Sequence, residues 1–437
     1  MRWFVNVLIW LVATMEVEGQ IFEGHWSTPF TAVSTLIFRP VAHVIPWDAL
    51  MLIAFGLSFA TRRGRVPAVG RSISICVGAL VVTWIWGVLH GGSTYQAVFQ
   101  LHSFAMSLFI ATTVSNVYRT RADVLSLGRT VAFATIHRSL VCFGFWFFVA
   151  KDMKEPPIAM TDHTDTVLFV IGLFVFIVNA LERRTAASIV FALLAAVPII
   201  AAIVVNNRRL AWLAVAVAFI LMYLLLPKGK LKSRINRGAL AMSPLLIAYV
   251  AVGWGNPTGI FKPVGSISTM FGEHQDTSSL MRDIENYNLM VTLKSSPLLG
   301  AGFGTEYIEQ LRAIDISTIF PQYRYMPHNS LLGVIAFSGM FGFAGIWQLV
   351  MVTVYLHLVV YRGTTQVVAR VASMCSLIAI LVIELQMWGD IGFNHPAVCC
   401  LLAVAVGLSA RLPMIAGLWS PPKPVAETPA SPVIAAA

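Results

Sequence analysis

A chain of 437 residues that is 57% apolar and only 11% charged, with a mean hydropathy of +0.77, cannot cover itself with polar surface, so lipid is its solvent and a soluble globular fold is excluded. Its apolar runs have helix length and do not form alternating strands of roughly ten residues, which excludes a membrane β-barrel. The formal net charge of +10 does not point to nucleic acid, because most Lys and Arg residues fall in alternate short connections, as cytoplasmic loops do.

In chain order, the first run, Trp3 to Met15, reads as a membrane helix that stays in the protein. Arg2 alone is a thin positive region, and no small-x-small cleavage site follows. Apolar segments then lie near 2–16, 47–61, 69–89, 96–117, 131–150, 166–181, 186–205, 210–227, 238–254, 329–360, 371–389 and 396–416, about twelve spans. Arg62, Arg63, Arg65 and Arg71 share one connection; Arg119, Arg121 and Arg129 share another. Arg183 and Arg184 follow, then Lys228, Lys230, Lys232, Arg234 and Arg237, and finally Arg362 and Arg370. These alternate with connections 16–46, 90–95, 151–165, 206–209, 255–328 and 390–395, which therefore face the opposite side. The expected fold is all-α: a polytopic membrane bundle of about 12 transmembrane helices, a single domain over 1–419, with both termini cytoplasmic. The Pro/Ala-rich stretch 420–437 reads as a disordered cytoplasmic tail.

One connection is long. Residues 255–328 carry five basic against seven acidic residues, which is not cytoplasmic-loop composition. Within it, 279–294 reads as an amphipathic helix with Leu280, Ile284, Tyr287 and Val291 in one stripe and Arg282 pointing away. A run from Pro297 to Gly304, rich in glycine, ends that helix. The loop reads as a structured periplasmic cap lying on the membrane. The chain shows no internal repeat, which weighs against a transporter built from two related halves.

Three elements on that side could carry chemistry. Arg208 and Arg209, in the short turn Asn206-Asn207-Arg208-Arg209, either snorkel to lipid phosphates or bind a pyrophosphate, for which guanidinium offers a matching fork of donors. Arg282 either forms a surface salt bridge with Asp283 or Glu285, or joins the same anion site. His328, followed by Asn329 at a helix start, either serves structure or accepts a proton from a hydroxyl near neutral pH. Arg138 lies inside a span, toward its cytoplasmic half; Glu384 lies in the outer half of a late span, as a partner for an arginine or an alternative base. Asp390, Asn394 and His395 border the outer end of the same hairpin. The pairs Asp162/Asp165 and Asp283/Glu285 are too sparse for a metal site, and the five cysteines all lie in apolar segments, so the expected chemistry uses neither metal nor cofactor.

Taken together, three segments resemble the O-antigen ligase and Wzy-type polymerase superfamily of bacterial envelope glycosyltransferases. They are Asn207-Arg208-Arg209-Leu210-Ala211, Arg282 through Leu298-Leu299-Gly300-Ala301-Gly302-Phe303-Gly304, and Pro327-His328-Asn329-Ser330-Leu331 with Ser338-Gly339-Met340-Phe341-Gly342. The similarity covers roughly residues 190–345. Family members often carry Ser-Arg or Thr-Arg where this chain has Asn207-Arg208-Arg209, so either arginine could take the family's role. The resemblance implies a glycan donor on undecaprenyl diphosphate, with Arg208, Arg209 and Arg282 on the diphosphate. His328 would act as base toward an acceptor saccharide hydroxyl, and the anomeric centre would invert. It further implies a bacterial inner-membrane location with the site facing the periplasm. The acceptor would be lipid A–core or a second lipid-linked repeat, in contact with membrane lipid and without nucleic acid. A transporter or flippase of lipid-linked saccharides, using Arg138 and Glu384, is the rival expectation; a non-catalytic membrane scaffold is a third.

Overall fold

The computed structural model describes residues 1–15, 36–38, 45–60, 66–155, 157, 159–162, 164–256, 258–271, 277–318 and 320–420. Helices α1 (Arg2–Ala13), α2 (Pro46–Ala60), α3 (Pro67–Leu89), α4 (Thr94–Val117), α5 (Arg121–Phe148), α6 (Asp165–Arg183), α7 (Ala186–Asn206), α8 (Arg209–Leu225) and α9 (Lys230–Gly253) precede the long connection. That connection holds α10 (Lys262–Phe271) and α11 (Thr277–Ser295). Then come α12 (Ser330–Gly363), α13 (Val367–Gly389), α14 (Pro396–Ser409) and a final turn α15 (Leu412–Ile415). Each predicted apolar segment holds one of these helices, and the described residues contain no strand. Among the described residues, eight helices are long and apolar enough to cross a membrane, and α1, α2, α8 and α14 are shorter apolar helices. The protein is a polytopic all-α membrane protein. The tail 421–437 and Arg62, Arg63 and Arg65 lie outside the described residues.

Helix limits follow local chemistry. Thr120 accepts from the Asp123 N–H while the Asp123 carboxylate accepts from the Thr120 N–H, a reciprocal capping box that starts α5 at Arg121. The apolar window alone placed that start ten residues later. Arg138 is therefore past the midpoint of a 28-residue helix, nearer the end that carries the long connection. A polar first turn extends the helix beyond its apolar run, so Arg138 lies nearer that end of the helix than the apolar window placed it.

Helix α12 packs between α3 and α13, α4 lies against α14, and α6 lies against α7 and α13. The long connection is sewn into this bundle at a break in α12. Gly339 has φ +60° there, a conformation that costs little only without a Cβ. The break frees backbone groups that a continuous helix would pair internally. Met340 and Phe341 donate to Pro297 and Leu298, while Ala336 and Phe337 accept from Ala301 and Gly302. Non-helical backbone is tolerable in such a protein when protein groups satisfy it, as here. Gly302 lies so close to Gly87 of α3 that neither position has room for a side chain. The Gly304 carbonyl accepts from Ser93, and its N–H donates to Gln100 of α4.

Candidate active site

The turn between α7 and α8 is built around asparagines. The Asn206 side chain is buried, and its Oδ1 accepts from the backbone N–H groups of Met160 and Thr161 at 3.1 and 2.9 Å. That ties the end of α7 to the α5–α6 connection. Asn207 then adopts a left-handed conformation, φ +53°, which asparagine tolerates better than most residues. The chain reverses there and leaves Arg208 as the N-cap of α8, with Arg209 as the first helical residue. Both arginines are half-buried. Among the described residues, the Arg208 side chain makes no hydrogen bond or salt bridge, and its Nε is buried without a partner. Burial pushes its guanidinium below the usual arginine range; Arg282 pushes the same way, while Asp390 and Asp162 oppose it. It stays charged regardless.

Helix α11 and the start of α12 hold the imidazole. The buried Asn288 accepts from the N–H groups of Gln310 and Leu311 and donates to the Leu311 carbonyl, and Thr292 accepts from Ile308. These bonds turn the Glu285, Asn288, Leu289 and Thr292 face of α11 inward. The predicted apolar stripe is not the buried face: Leu280 and Tyr287 are exposed. Arg282, expected on the far side, precedes Glu285 by one turn and shares its face. On the α12 side, Asn329 accepts from the Leu332 N–H as N-cap and donates to Asn286 of α11 at 3.0 Å. Pro327 packs against Gly333, where a side chain would collide with the ring. His328 is held between these two anchors.

Glu285 grips His328 twice. It accepts from the His328 backbone N–H at 2.9 Å, and its other oxygen lies 3.4 Å from Nδ1. Glu285 is almost fully buried, while the imidazole keeps 36% of its surface open. The carboxylate raises the His328 pKa by hydrogen bonding; burial opposes this, Glu285 and Asp390 add charge attraction, and Arg282 repels. With Nδ1–H directed at Glu285, Nε2 is the nitrogen that presents a lone pair.

Arg208 thus lies in the field of Arg282, Arg282 in that of His328, and Asp390 in that of both Arg208 and His328. Three segments distant in sequence converge at the long-loop end of the bundle. Arg282 is exposed and, among the described residues, makes no salt bridge with Asp283, Glu285 or any other carboxylate. The surface-pair expectation fails because Glu285 is engaged by His328. The surroundings of Arg208 are mixed in charge, since the Asp390 and Asp162 carboxylates act on it as well as Arg282. Asp162 is occupied in part by Thr164, whose N–H and hydroxyl donate to its Oδ1, and its other oxygen lies 3.8 Å from His395.

Two predicted residues stand apart. Arg138 is buried in a two-pronged pair with Asp165, with contacts of 2.6 and 3.2 Å, and serves the α5–α6 contact. Glu384 pairs with no arginine among the described residues; its Oε2 is buried without a partner. Glu285 and Asp390 are the additions that the structure makes to the site. The signal for Glu285 is its place one helical turn after Arg282; the signal for Asp390 is its place just beyond the last turn of α13.

Residues 194–347 match the family model described as O-antigen ligase. That span takes in Arg208, Arg209, Arg282, His328, Asn329 and the broken turn at Gly339, and agrees with the resemblance read from the sequence. No curated protein matches the chain. Over that span the chain is similar to O-antigen ligases, which supports a multi-pass membrane enzyme of the ligase and polymerase type that takes a lipid-linked glycan and an acceptor.

Proposed function

We propose that the O-antigen ligase domain of this chain moves a glycan from undecaprenyl diphosphate to an acceptor saccharide hydroxyl at the periplasmic face of a bacterial inner membrane. One observation carries this reading: Arg208, a half-buried guanidinium without an ion-pair partner among the described residues, lies in the field of Arg282, likewise without a salt bridge among them, which lies in the field of a Glu285-bound imidazole. An unpaired guanidinium away from water is costly unless an anion joins it. A diphosphate supplies that anion. Arg208 and Arg282, with Arg209 beside them, hold it and stabilise the charge that grows as it leaves.

His328 Nε2 takes the proton of the attacking hydroxyl, and Glu285 holds the ring and stabilises the imidazolium that forms. The hydroxyl oxygen bonds to the anomeric carbon, the bond from that carbon to the diphosphate oxygen breaks, and the lipid diphosphate departs. A single displacement inverts the anomeric centre. Diphosphate is a good leaving group, so no strong general acid is needed. The site uses neither metal nor cofactor in this reading; arginine neutralises the charge.

The test is transfer in membrane vesicles supplied with a lipid-linked oligosaccharide donor. The parent chain should release undecaprenyl diphosphate and form one inverted linkage per turnover. A retained anomeric configuration in the product would sink the single-displacement mechanism. Accumulation of transported but chemically unchanged donor would sink the transferase reading itself.

A further inference from the structure

At the end of the bundle away from the long connection, α5, α6, α13 and α14 line an open cleft of about 270 Å³. That is near the lower limit of small-ligand pockets. Its walls are aliphatic, with Val175, Val371, Ala372 and Val404 among them, and its polar lining includes Arg129, Arg183 and Asn179. Both arginines are exposed. Arg129 has no salt bridge among the described residues. Arg183 donates through Nε to Asn179 Oδ1 at 2.8 Å, a neutral partner that aims the guanidinium without cancelling its charge. The adjacent carboxylate, Glu182, is already engaged by Arg370 at 2.8 and 2.9 Å.

We infer that this cleft is a binding site for one anionic phospholipid of the surrounding bilayer, with an acyl chain between the four helices and the phosphate on Arg129 and Arg183. Charge complementarity selects the occupant. An apolar cleft alone would take any lipid chain, whereas two guanidinium forks at its mouth match phosphate oxygens and want a headgroup with net negative charge. A soluble anion would leave the aliphatic walls empty. The site lies at the far end from Arg208 and His328 and does not depend on their role.

The test is native mass spectrometry of the full chain, purified in detergent and exposed to palmitoyl-oleoyl phosphatidylglycerol or to phosphatidylcholine with the same chains. The parent should retain the anionic lipid in preference. Arg129→Gln and Arg183→Gln should each weaken retention about fivefold, the scale of one cation near anionic lipid. Arg362→Gln, which removes a charge at the same end but outside the cleft, should not. Ala372→Phe, which fills the cleft and keeps every charge, should abolish retention of both lipids. Arg129→Lys and Arg183→Lys should recover most of the preference, and they serve if the glutamine variants fail to fold. Equal retention of the two lipids by the parent would overturn the site. So would parental retention of phosphatidylglycerol in the glutamine variants or in Ala372→Phe.

Discussion

Arg138 on α5 and Arg208 in the α7–α8 turn reach the same end of the bundle, on helices that pack together, and their surroundings are opposite. Arg138 is only 2% exposed and held by both oxygens of Asp165. Arg208 has a buried Nε with no partner. An arginine whose charge is answered by its own protein is part of the scaffold. One that makes no ion pair among the described residues, beside Arg282 and a gripped imidazole, fits the anion site proposed above. Burial in a membrane bundle therefore does not mark function by itself.

Four experiments bear on that contrast. The largest effect is expected from His328→Ala, which should lower glycan transfer by about 10²–10⁴ while the protein still inserts, measured as product formed in vesicles. A parental rate would remove the open region from the chemistry. Next, Arg138→Ala should cost about 3–5 kcal/mol of stability by stranding a buried carboxylate, whereas replacing Arg138 and Asp165 together with leucine should be near neutral. Denaturation in detergent checks both, and Arg208→Ala should show no comparable loss. If Arg208→Ala destabilises as much as Arg138→Ala, the contrast collapses.

Arg208→Gln should slow transfer about 10²–10³-fold, the loss typical of one donor to a developing negative charge. Its melting temperature should be unchanged without donor, and donor should raise it less than it raises the parent's. The smallest effect is expected from Glu285→Gln. Glu285 raises the His328 pKa, and the base works deprotonated, so parental activity climbs as pH rises through that raised value. Without the carboxylate the pKa falls, and the acid limb of the rate profile moves to lower pH. The maximal rate should stay within about tenfold of the parent's, well short of the loss on removing the base itself. A profile that stays in place would show that Glu285 does not tune the ring.

Among the described residues, the twelve apolar helices were legible because each holds a run of apolar residues long enough to recognise by composition. Arg208 stood out as a candidate because two arginines occupy a four-residue turn between apolar helices. His328 stood out from its place between Pro327 and a capping Asn329. Other features were hidden because they arise from tertiary contacts. The inward face of α11 is polar, pinned by Asn288 and Thr292 to chain some twenty residues later, so hydropathy selected the wrong stripe. The start of α5, and with it the place of Arg138 along that helix, depended on a capping box outside the apolar window. Glu384 looked like a partner for the arginines, yet among the described residues no arginine pairs with it.

The broken turn at Gly339 has a mechanical consequence. Four backbone bonds cross between α12 and the 297–302 insert, so α12 can neither slide along its axis nor rotate without tearing all of them together. That flank behaves as an anvil. Any motion within the bundle has to pivot around that seam rather than through it.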